Sequence, residues 1–475
     1  MTGLSRQDQA MGVRHDQTHA YQFGTDTMTG RRSAFLVLVA VCALGFASCN
    51  WAQFRFGPEH TGHNQTEKAI SVSNVSSLVL RFTAATGGSI FMSSPAVVNG
   101  VVYTGSEDGK LYAFDSAGNT NCSGTPKTCA PLWTGSTGSS IESSPAVVNG
   151  VVYIGSVDDK LYAFDAAGNT NCSGTPKTCA PLWTATTGAS IYSSPTVANG
   201  VVYVGSYIPD DRLYAFDAAG TTNCSGTPKT CAPLWTAITD GAVYSSAAVS
   251  TGVVYVGSLG GNLYAFDAAG KENCSGTPTT CAPLWTYPTG AVSSSPAVAR
   301  GVVYVGDFLS RVYGFDATGK TNCSGTPKVC GPLWTNGVNS SIGVTSSPAV
   351  AGGNVYVGDE CNFNYPTQPP NCGNTPHFYA FDAATGASRW TAIATAAPVP
   401  SSPGVAHRVV FVGSVDGNLY AFDAAGHTDC SGTPTFCQPL WTGSTASSVA
   451  SSPAIANGMV YVGSEDGKLY AFGLP

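Results

Sequence analysis

Charged side chains are scarce in this sequence. Its 475 residues include 21 Lys and Arg and 28 Asp and Glu, which together make up 10% of the chain, and the formal net charge is −7. A protein that binds nucleic acid needs clustered cations to neutralise the phosphates. Because this chain is acidic and has few cations, we expect no nucleic-acid partner.

No transmembrane segment is predicted either. The apolar run at residues 34–47 is too short to span a bilayer comfortably, and it follows Arg31 and Arg32 as the apolar region of a secretory signal does. We therefore predict that residues 1–48 are an N-terminal extension and a signal peptide. The mature protein would be exported to the periplasm, the cell envelope or the medium.

Two processing routes fit the end of this signal. Residues 45–47 offer small side chains at the positions that signal peptidase reads. Residues 46–49 resemble an imperfect lipobox, with Phe46 where Leu is usual. In the second route Cys49 would carry a lipid anchor, and that anchor would be the protein's attachment to a membrane.

Several catalytic motifs are also absent. The sequence contains no G-x-S-x-G elbow, no H-E-x-x-H zinc motif and no C-x-x-C-H haem motif. These absences argue against the common serine hydrolases, zinc peptidases and c-type haem proteins.

A repeat of about 50 residues fills the rest of the chain. Each copy contains short runs rich in Val, Tyr, Phe, Trp and Thr, separated by Asn-Gly, Asp-Gly or Ala-Gly turns, and no copy has a long apolar stripe of helical period. A Ser-Ser pair marks each copy and begins at Ser93, Ser143, Ser193, Ser245, Ser294, Ser346, Ser401 and Ser451. Four strands per copy, A to D, predict an all-β fold, an eight-bladed β-propeller of four-stranded antiparallel blades.

The two ends of the repeated region complement each other. The last copy stops after its third strand near Phe472, whereas residues 80–83 look like a fourth strand that lacks the other three. We predict that this N-terminal strand closes the ring. The predicted boundaries are residues 1–48 for the extension and signal, 49–78 for a non-repeating lead that lies across the propeller, and 79–475 for the propeller.

Cysteine spacing agrees with export. Of 16 cysteines, Cys42 lies in the signal and Cys49 at its end, and the other 14 form seven close pairs. Six pairs share the motif C-S-G-T-P-x-x-C in the loop between strands C and D, which suits a local disulfide better than zinc. We therefore expect these bridges to stiffen loops on one face without linking blades. The predicted pairs are Cys122 with Cys129, Cys172 with Cys179, Cys224 with Cys231, Cys274 with Cys281, Cys323 with Cys330, Cys430 with Cys437, and, in a B–C loop, Cys361 with Cys372.

The repeats resemble those of the pyrroloquinoline-quinone-type (PQQ-type) β-propellers. The resemblance rests on residues 380–390, which read AFDAATGASRW, and on the stretches similar to SSPAVVNGVVYVGSEDG, and it covers about residues 79–475. It implies a ring of aromatic side chains that dock neighbouring blades as part of the core. Those positions are Phe82, Trp133, Trp183, Trp235, Trp285, Trp334, Trp390 and Trp441.

This resemblance leaves the function open. Such repeats build quinone-dependent dehydrogenases, the propeller lipoprotein of the outer-membrane β-barrel assembly machinery, and proteins without assigned activity. The dehydrogenases carry an adjacent Cys-Cys disulfide, a Trp beneath the quinone, acidic Ca²⁺ ligands and a catalytic Asp. Because no Cys-Cys dipeptide occurs here, we expect no cofactor, with PQQ and Ca²⁺ as the alternative.

A binding site should lie where the copies differ. The variable positions precede the Ser-Ser pairs and fall in the B–C loops, on one face of the propeller. The acidic B–C loops could hold Ca²⁺ or a cationic partner, although the preference of hairpins for Asp-Gly turns explains some of these acids equally well. The candidate binding residues are Glu142, Tyr192, Asp210, Asp211, Tyr244, Phe363 and Tyr365.

Two functions of different classes follow from these observations. The leading hypothesis is an exported, non-enzymatic binding or scaffold module whose variable face takes a protein or a glycan. The alternative is a PQQ-dependent dehydrogenase with a degenerate site.

Overall fold

The computed structural model describes residues 50–340, 342–360, 378–392 and 397–475. Eight sheets follow one another along the chain, and each contains four antiparallel strands of one blade, A to D from the centre outward. The predicted eight-bladed β-propeller is therefore confirmed. In the part of the chain that the structure describes, no helix is long and apolar enough to cross a membrane.

The strand bounds repeat closely from blade 1 to blade 8. The A strands are Ala96–Val98, Ala146–Val148, Thr196–Ala198, Ala248–Ser250, Ala297–Ala299, Ala349–Ala351, Gly404–Ala406 and Ala454–Ala456. The B strands are Val101–Ser106, Val151–Ser156, Val201–Gly205, Val253–Gly257, Val302–Gly306, Asn354–Gly358, Val409–Gly413 and Met459–Ser464. The C strands are Lys110–Asp115, Lys160–Asp165, Arg212–Asp217, Asn262–Asp267, Arg311–Asp316, Phe378–Asp382, Asn418–Asp423 and Lys468–Gly473. The D strands are Trp133–Ser136, Trp183–Thr186, Trp235–Ile238, Trp285–Pro288, Trp334–Gly337, Ser388–Ala392, Trp441–Ser444 and Val79–Ala85.

The N-terminal strand closes the ring. Val79–Ala85 pairs antiparallel with Lys468–Gly473 and supplies the D strand of blade 8. Its Phe82 is fully buried and lies 6.5 Å, between ring centroids, from Tyr461 of the same blade. The first and last segments of the propeller thus share one sheet, as predicted.

A ring of serine hydrogen bonds joins all eight blades around the axis. The backbone amide of the second serine of each pair donates to the hydroxyl of the same serine in the next blade, at 2.8 to 3.1 Å, and the bond from Ser452 to Ser94 completes the circle. The first serine ties strand A to strand B within its blade, as Ser93 does by accepting the Gly105 amide at 2.8 Å. The Ser-Ser pair therefore fixes each blade internally and to its neighbour.

Aromatic side chains dock each blade on the next. Trp133 of blade 1 donates from Nε1 to the Ala166 carbonyl of blade 2 at 3.2 Å, and its ring centroid lies 6.4 Å from that of Phe164. Gly168 has a φ of +64°, and a Cβ there would lie 2.2 Å from Trp133 Cδ1, so the close approach requires glycine. Buried tryptophans take the same position in the following five blades, at Trp183, Trp235, Trp285, Trp334 and Trp390.

Trp441 of blade 7 departs from this pattern. It is only partly buried, and its Nε1 donates to the Leu78 carbonyl at 2.9 Å. The D strand of blade 8, Val79–Ala85, comes from the start of the repeated region, so no C–D turn joins it to strand C, Lys468–Gly473. The lead segment just before the closing strand takes the place of that turn.

The cystine loops lie elsewhere than expected. Six of the predicted disulfides are present, and they fit an exported protein. Each loop is a two-stranded hairpin, such as Cys172–Ser173 with Thr178–Cys179, that pairs in parallel with the D strand of the preceding blade. Each disulfide lies within one hairpin and does not cross between blades, as expected, but the backbone of the hairpin pairs with the neighbouring blade, so the loops themselves do link blades.

These hairpins protect the outer edge of the propeller. In six blades the D-strand threonine amide donates to a hairpin carbonyl at 3.0 Å, as Thr134 does to Lys177. Blade 6 has no such hairpin, so the D strand of blade 5, Trp334–Gly337, ends its sheet with four strands. The D strand of blade 7, Trp441–Ser444, also ends its sheet without a hairpin.

Some predicted features lie outside the described residues. They are the signal and extension at residues 1–48, Cys49, the pair Cys361 with Cys372, and the candidate binding residues Phe363 and Tyr365.

The closing strand provides a test of ring closure. Phe82→Ala should destabilise the domain by about 3–5 kcal/mol, because the buried ring leaves a cavity. Val79→Ala, on the same strand but 44% exposed, should change the free energy of unfolding by less than about 0.5 kcal/mol. Denaturant unfolding of both variants measures the difference. Equal losses would contradict the docking role of Phe82.

Hydrogen exchange tests the hairpin caps. The Thr134 amide should exchange roughly fivefold or more slowly than the Thr335 amide, because a net hydrogen bond is worth about 1 kcal/mol and the structure gives Thr335 no hairpin partner among the described residues. Exchange measured with residue-level fragmentation gives both rates. Replacing Cys172 and Cys179 by Ser should speed exchange at Thr134 and leave Thr335 unchanged; unchanged exchange at Thr134 would argue against the cap.

Candidate functional site

The channel opens into a cavity at its B–C end. The cavity has a volume of about 730 Å³, within the range of small-molecule sites, roughly 300–1,000 Å³. Six of the eight residues that precede the serine pairs line it: Met92, Tyr244, Ser293, Thr345, Pro400 and Ala450. The positions at which the copies differ therefore meet around one space, called the mouth cavity below.

Tyr244 lies across the channel mouth. It belongs to blade 4, and its hydroxyl points at Sδ of Met92 in blade 1. Tyr192 stacks on Tyr244 with ring centroids 5.6 Å apart, and Tyr207 meets the two rings edge-on at 5.0 and 6.3 Å. Two of the predicted residues, Tyr192 and Tyr244, thus form one aromatic cluster with Tyr207, which the sequence analysis missed.

Acidic side chains surround this cluster. Glu360, Asp416 and Glu465 line the mouth cavity, and its described lining contains no Lys or Arg. Glu142 lies beside the cavity, and together with Glu360 it raises the pKa of the Tyr244 phenol, which burial has already raised. Burial also raises the pKa of Glu360 and of Glu142. The mouth therefore concentrates negative charge in partly desolvated positions.

Most of the acidic B–C loop residues hold the fold together. In seven blades the strand-C tyrosine donates its hydroxyl to a carboxylate of the same blade. The pairs are Tyr112 with Asp108, Tyr162 with Asp158, Tyr214 with Asp210, Tyr313 with Asp307, Tyr379 with Asp359, Tyr420 with Asp416, and Tyr470 with Asp466. Among the described residues, no three His, Cys, Asp or Glu side chains are grouped so as to hold a metal ion. The preference of hairpin turns for Asp thus explains only part of the occurrence of acidic residues in the B–C loops, and their hydrogen bonds to the strand-C tyrosines explain another part.

Asp210 and Asp211 do not line the mouth cavity. Asp210 accepts the Tyr214 hydroxyl at 2.7 Å and pairs with Arg212 Nε at 3.2 Å. Asp211 occupies a turn position with a φ of +52°, and its carbonyl accepts the Thr239 amide at 2.9 Å. The two predicted residues therefore lie outside the cavity, but they hold the loop of the tyrosine cluster, since their backbone amides donate to the Tyr207 carbonyl at 3.1 and 3.2 Å.

The lead segment closes the other end of the channel. Residues 51–64, called the collar below, run around the inside of the A strands and bond to all eight of them. The bonds join Val97 to Trp51 (2.8 Å), Val147 to Ala52 (2.7 Å), Val197 to the Gln53 side chain (2.9 Å), Val249 to Pro58 (2.7 Å), Val298 to Glu59 (2.8 Å), Val350 to Thr61 (2.8 Å), Val405 to Gly62 (2.8 Å) and Ile455 to the Asn64 side chain (2.8 Å). The lead does lie across the propeller, and it is also the partner of every inner strand.

Two buried basic side chains of the collar cross the channel. Arg55 donates to the carbonyls of Pro348, at 3.0 Å, and Pro403, and burial lowers its pKa to about 9. His60 Nε2 lies 2.9 Å from Thr196 Oγ1, and burial, aided by the charge of Arg55, lowers its pKa to about 3. Because these side chains reach blades on opposite sides, the collar blocks the channel and leaves the mouth as its open end.

One stretch of blade 5 has the spacing of a phosphate-binding loop. Residues 314–321 read GFDATGKT, which matches G-x-x-x-x-G-K-T. That motif works where a strand leads through the loop into a helix. Here the strand Arg311–Asp316 leads through a turn into the cystine hairpin that begins at Cys323–Ser324, so we assign no nucleotide site.

Fold and repeat together define an eight-bladed propeller of the quinoprotein type. The sequence profile of the outer membrane protein assembly factor BamB family matches residues 75–173, 125–362 and 331–472. The chain therefore belongs to the BamB family. No curated protein matches it significantly.

Solved structures share this fold at low sequence identity. BamB from Moraxella catarrhalis is 15% identical, with a TM-score of 0.56 over 83% of this chain and 99% of that one. Quinohemoprotein alcohol dehydrogenase from Comamonas testosteroni is 16% identical, with a TM-score of 0.65 over 92% of this chain and 82% of that one. The computationally designed protein Ika8 is 13% identical, with a TM-score of 0.58 over 82% and 98%. An assembly factor, an alcohol dehydrogenase and a designed protein thus share the architecture, and at these identities the similarity shows the fold alone.

The mouth residues do not fit a quinone site. PQQ is a tricarboxylic acid, so a buried site for it needs cations to balance its charge. The described lining of the mouth cavity supplies three carboxylates and no Lys, Arg or Trp, and residues 361–377 and 393–396 contain no Lys or Arg either. Since the chain also lacks adjacent cysteines, we derive no quinone chemistry at this site.

The burial of His60 in the collar predicts that the free energy of unfolding depends on pH. His60 titrates at 6.5 when exposed and at about 3 in the fold, so the unfolded chain gains a proton below pH 6.5 that the folded chain does not. Stability should therefore fall by about 2 kcal/mol between pH 7 and pH 5. Burial also lowers the pKa of the neighbouring His63, which adds to the fall.

Denaturant unfolding of His60→Gln at the two pH values checks this prediction. The variant should lose less stability between pH 7 and pH 5 than the parent, because Gln does not titrate. His427→Gln, at an exposed position, is the control and should keep the parent's dependence. A His60→Gln variant with the parent's dependence would contradict the assignment.

Proposed function

We propose that the protein is an exported binding module that holds a partner at its channel mouth and has no catalytic activity of its own. The observation that carries this proposal is the mouth cavity, about 730 Å³ in volume and lined by residues at which the repeats differ. Where the blades are alike they build a scaffold, and where they differ they can recognise a ligand.

The position of the collar supports the mouth as the binding site for a partner. It occupies the A–B end of the channel, with Trp51, Arg55 and His60 each no more than 2% exposed. A partner can therefore enter the channel from the B–C end. Aromatic side chains such as Tyr244 and Phe308, which line that end, often contribute most to binding energy.

The disulfides and the family support a location of the protein in the cell envelope. Six disulfides suit an oxidising compartment, and the family is named for assembly at the outer membrane. We therefore propose a cell-envelope protein that binds a protein or glycan partner, delivered by the signal at residues 1–48. Lipidation at Cys49 would attach it to the membrane.

A blocked mouth tests the proposal. Ala450→Trp places a bulky ring in the mouth cavity, whereas Asn169→Trp adds the same ring at an exposed position beyond strand C of blade 2, on the opposite face. Envelope components captured by the parent should bind Asn169→Trp equally and Ala450→Trp at least about tenfold more weakly. Unfolding curves confirm that both variants fold.

Two results would overturn the proposal. Full capture by Ala450→Trp would show that partners bind elsewhere. Alcohol- or aldose-dependent dye reduction after addition of PQQ and Ca²⁺ to the purified protein would show an enzyme.

A further inference from the structure

Two tyrosine rings form a corner in the mouth cavity. Tyr207 and Tyr244 both line it, and their planes meet at 68° with centroids 6.3 Å apart. Tyr192 stacks behind Tyr244 and supports it. Two rings at such an angle that line the same cavity bound it on two sides, and aromatic rings around a cavity attract an ammonium group.

Uncompensated negative charge lies beside this corner. Neither Glu360 nor Glu465 forms an ion pair with a described residue, although both line the cavity. The cations of this rim are instead engaged outside the cavity, as Lys110 is by Asp108 and Lys468 by Asp466. Burial, with the charge of Asp359, raises the pKa of Glu360, and a ligand with a positive charge would offset both by pairing with the carboxylate.

The rest of the cavity suits an organic group. Apolar side chains line it, among them Met92, Leu259 and Phe308. The hydroxyl oxygens of Ser293 and Ser448, which also line it, are buried and have no hydrogen-bond partner among the described residues. Buried polar atoms without partners are rare in folded proteins, so the two hydroxyls mark a local departure from full hydrogen bonding in the wall of the cavity.

We propose that the mouth cavity binds a small organic cation, with its ammonium group between Tyr207, Tyr244 and Glu360 and its apolar part toward Met92 and Phe308. This inference rests on the proposed function, because it names the ligand class of the same site. A bare metal ion fits less well. Carboxylates line the cavity, but a metal ion needs several oxygen ligands gathered around one point, and the described residues contain no group of three metal-binding side chains.

Choline and its uncharged isostere 3,3-dimethylbutan-1-ol are the probes. They match in shape and in the hydroxyl, so the difference between them reports the charge. Saturation-transfer NMR on the mature protein should show binding of choline, with the alcohol at least about tenfold weaker. Addition of Ca²⁺ in excess over choline should leave the choline signal unchanged.

Three variants locate the site. Glu360→Gln and Tyr244→Leu should each weaken choline binding about tenfold. Glu272→Gln removes an exposed carboxylate from the C–D connection of blade 4, beyond the end of strand C that is farther from the mouth, and should bind like the parent. Unfolding curves for each variant separate loss of binding from loss of fold.

Each contrary result overturns the inference. Absence of choline binding, equal binding of the alcohol, displacement by Ca²⁺, or unchanged binding in both Glu360→Gln and Tyr244→Leu would do so. If Ala450→Trp loses its partner while choline fails to bind, the proposed function stands and the ligand class is wrong. If choline binds but Ala450→Trp keeps its partner, the cation site stands and the proposed function is wrong.

Discussion

Hydrogen bonding at the inner edge of the eight A strands is the constraint on which this structure depends. A propeller turns one edge of every sheet toward the axis, and unpaired amides and carbonyls there would be costly once buried. The serine ring, closed between Ser452 and Ser94, pairs one layer of these groups. The collar pairs the next layer, beginning with Trp51 on Val97. With the inner edges paired, strands B to D can follow outward as simple hairpins.

The outer edges of the sheets are also paired, but by the cystine hairpins. Each cystine hairpin extends to the D strand of the preceding blade, so the disulfide stabilises a strand cap rather than a free loop. Blades 5 and 7 lack the cap because the blades that follow them lack the hairpin. Neighbouring blades are therefore joined by three kinds of contact: the serine ring at the axis, the tryptophans between sheets, and the hairpins at the rim.

The sequence predicted whatever depends on spacing along the chain. Strand count, blade number and the closing strand follow from the Ser-Ser period and from the orphan strand around Phe82. The destination of each hairpin could not be predicted, because the spacing of Cys172 and Cys179 defines a loop but not the neighbour it contacts. The collar's role was hidden for a related reason: its sequence does not repeat, although it contacts a repeated surface. At the mouth, the residues before the serine pairs and the acidic B–C loop residues such as Glu360 were found by comparing copies, while Tyr207 required the blades in place.

A symmetric ring by itself offers a ligand no preferred orientation. The single pass of the collar breaks that symmetry at one end of the channel, and its buried Arg55 and His60 fill that end. Only the mouth can then vary without loss of the inner hydrogen bonds, since its residues precede the serines and are not part of their ring. Tyr244 illustrates the result: anchored next to Ser245 in an invariant frame, it reaches toward Met92 on a distant blade and divides an eightfold opening into unequal parts. Specificity in this fold arises from such side chains, held by a backbone that is the same in every blade.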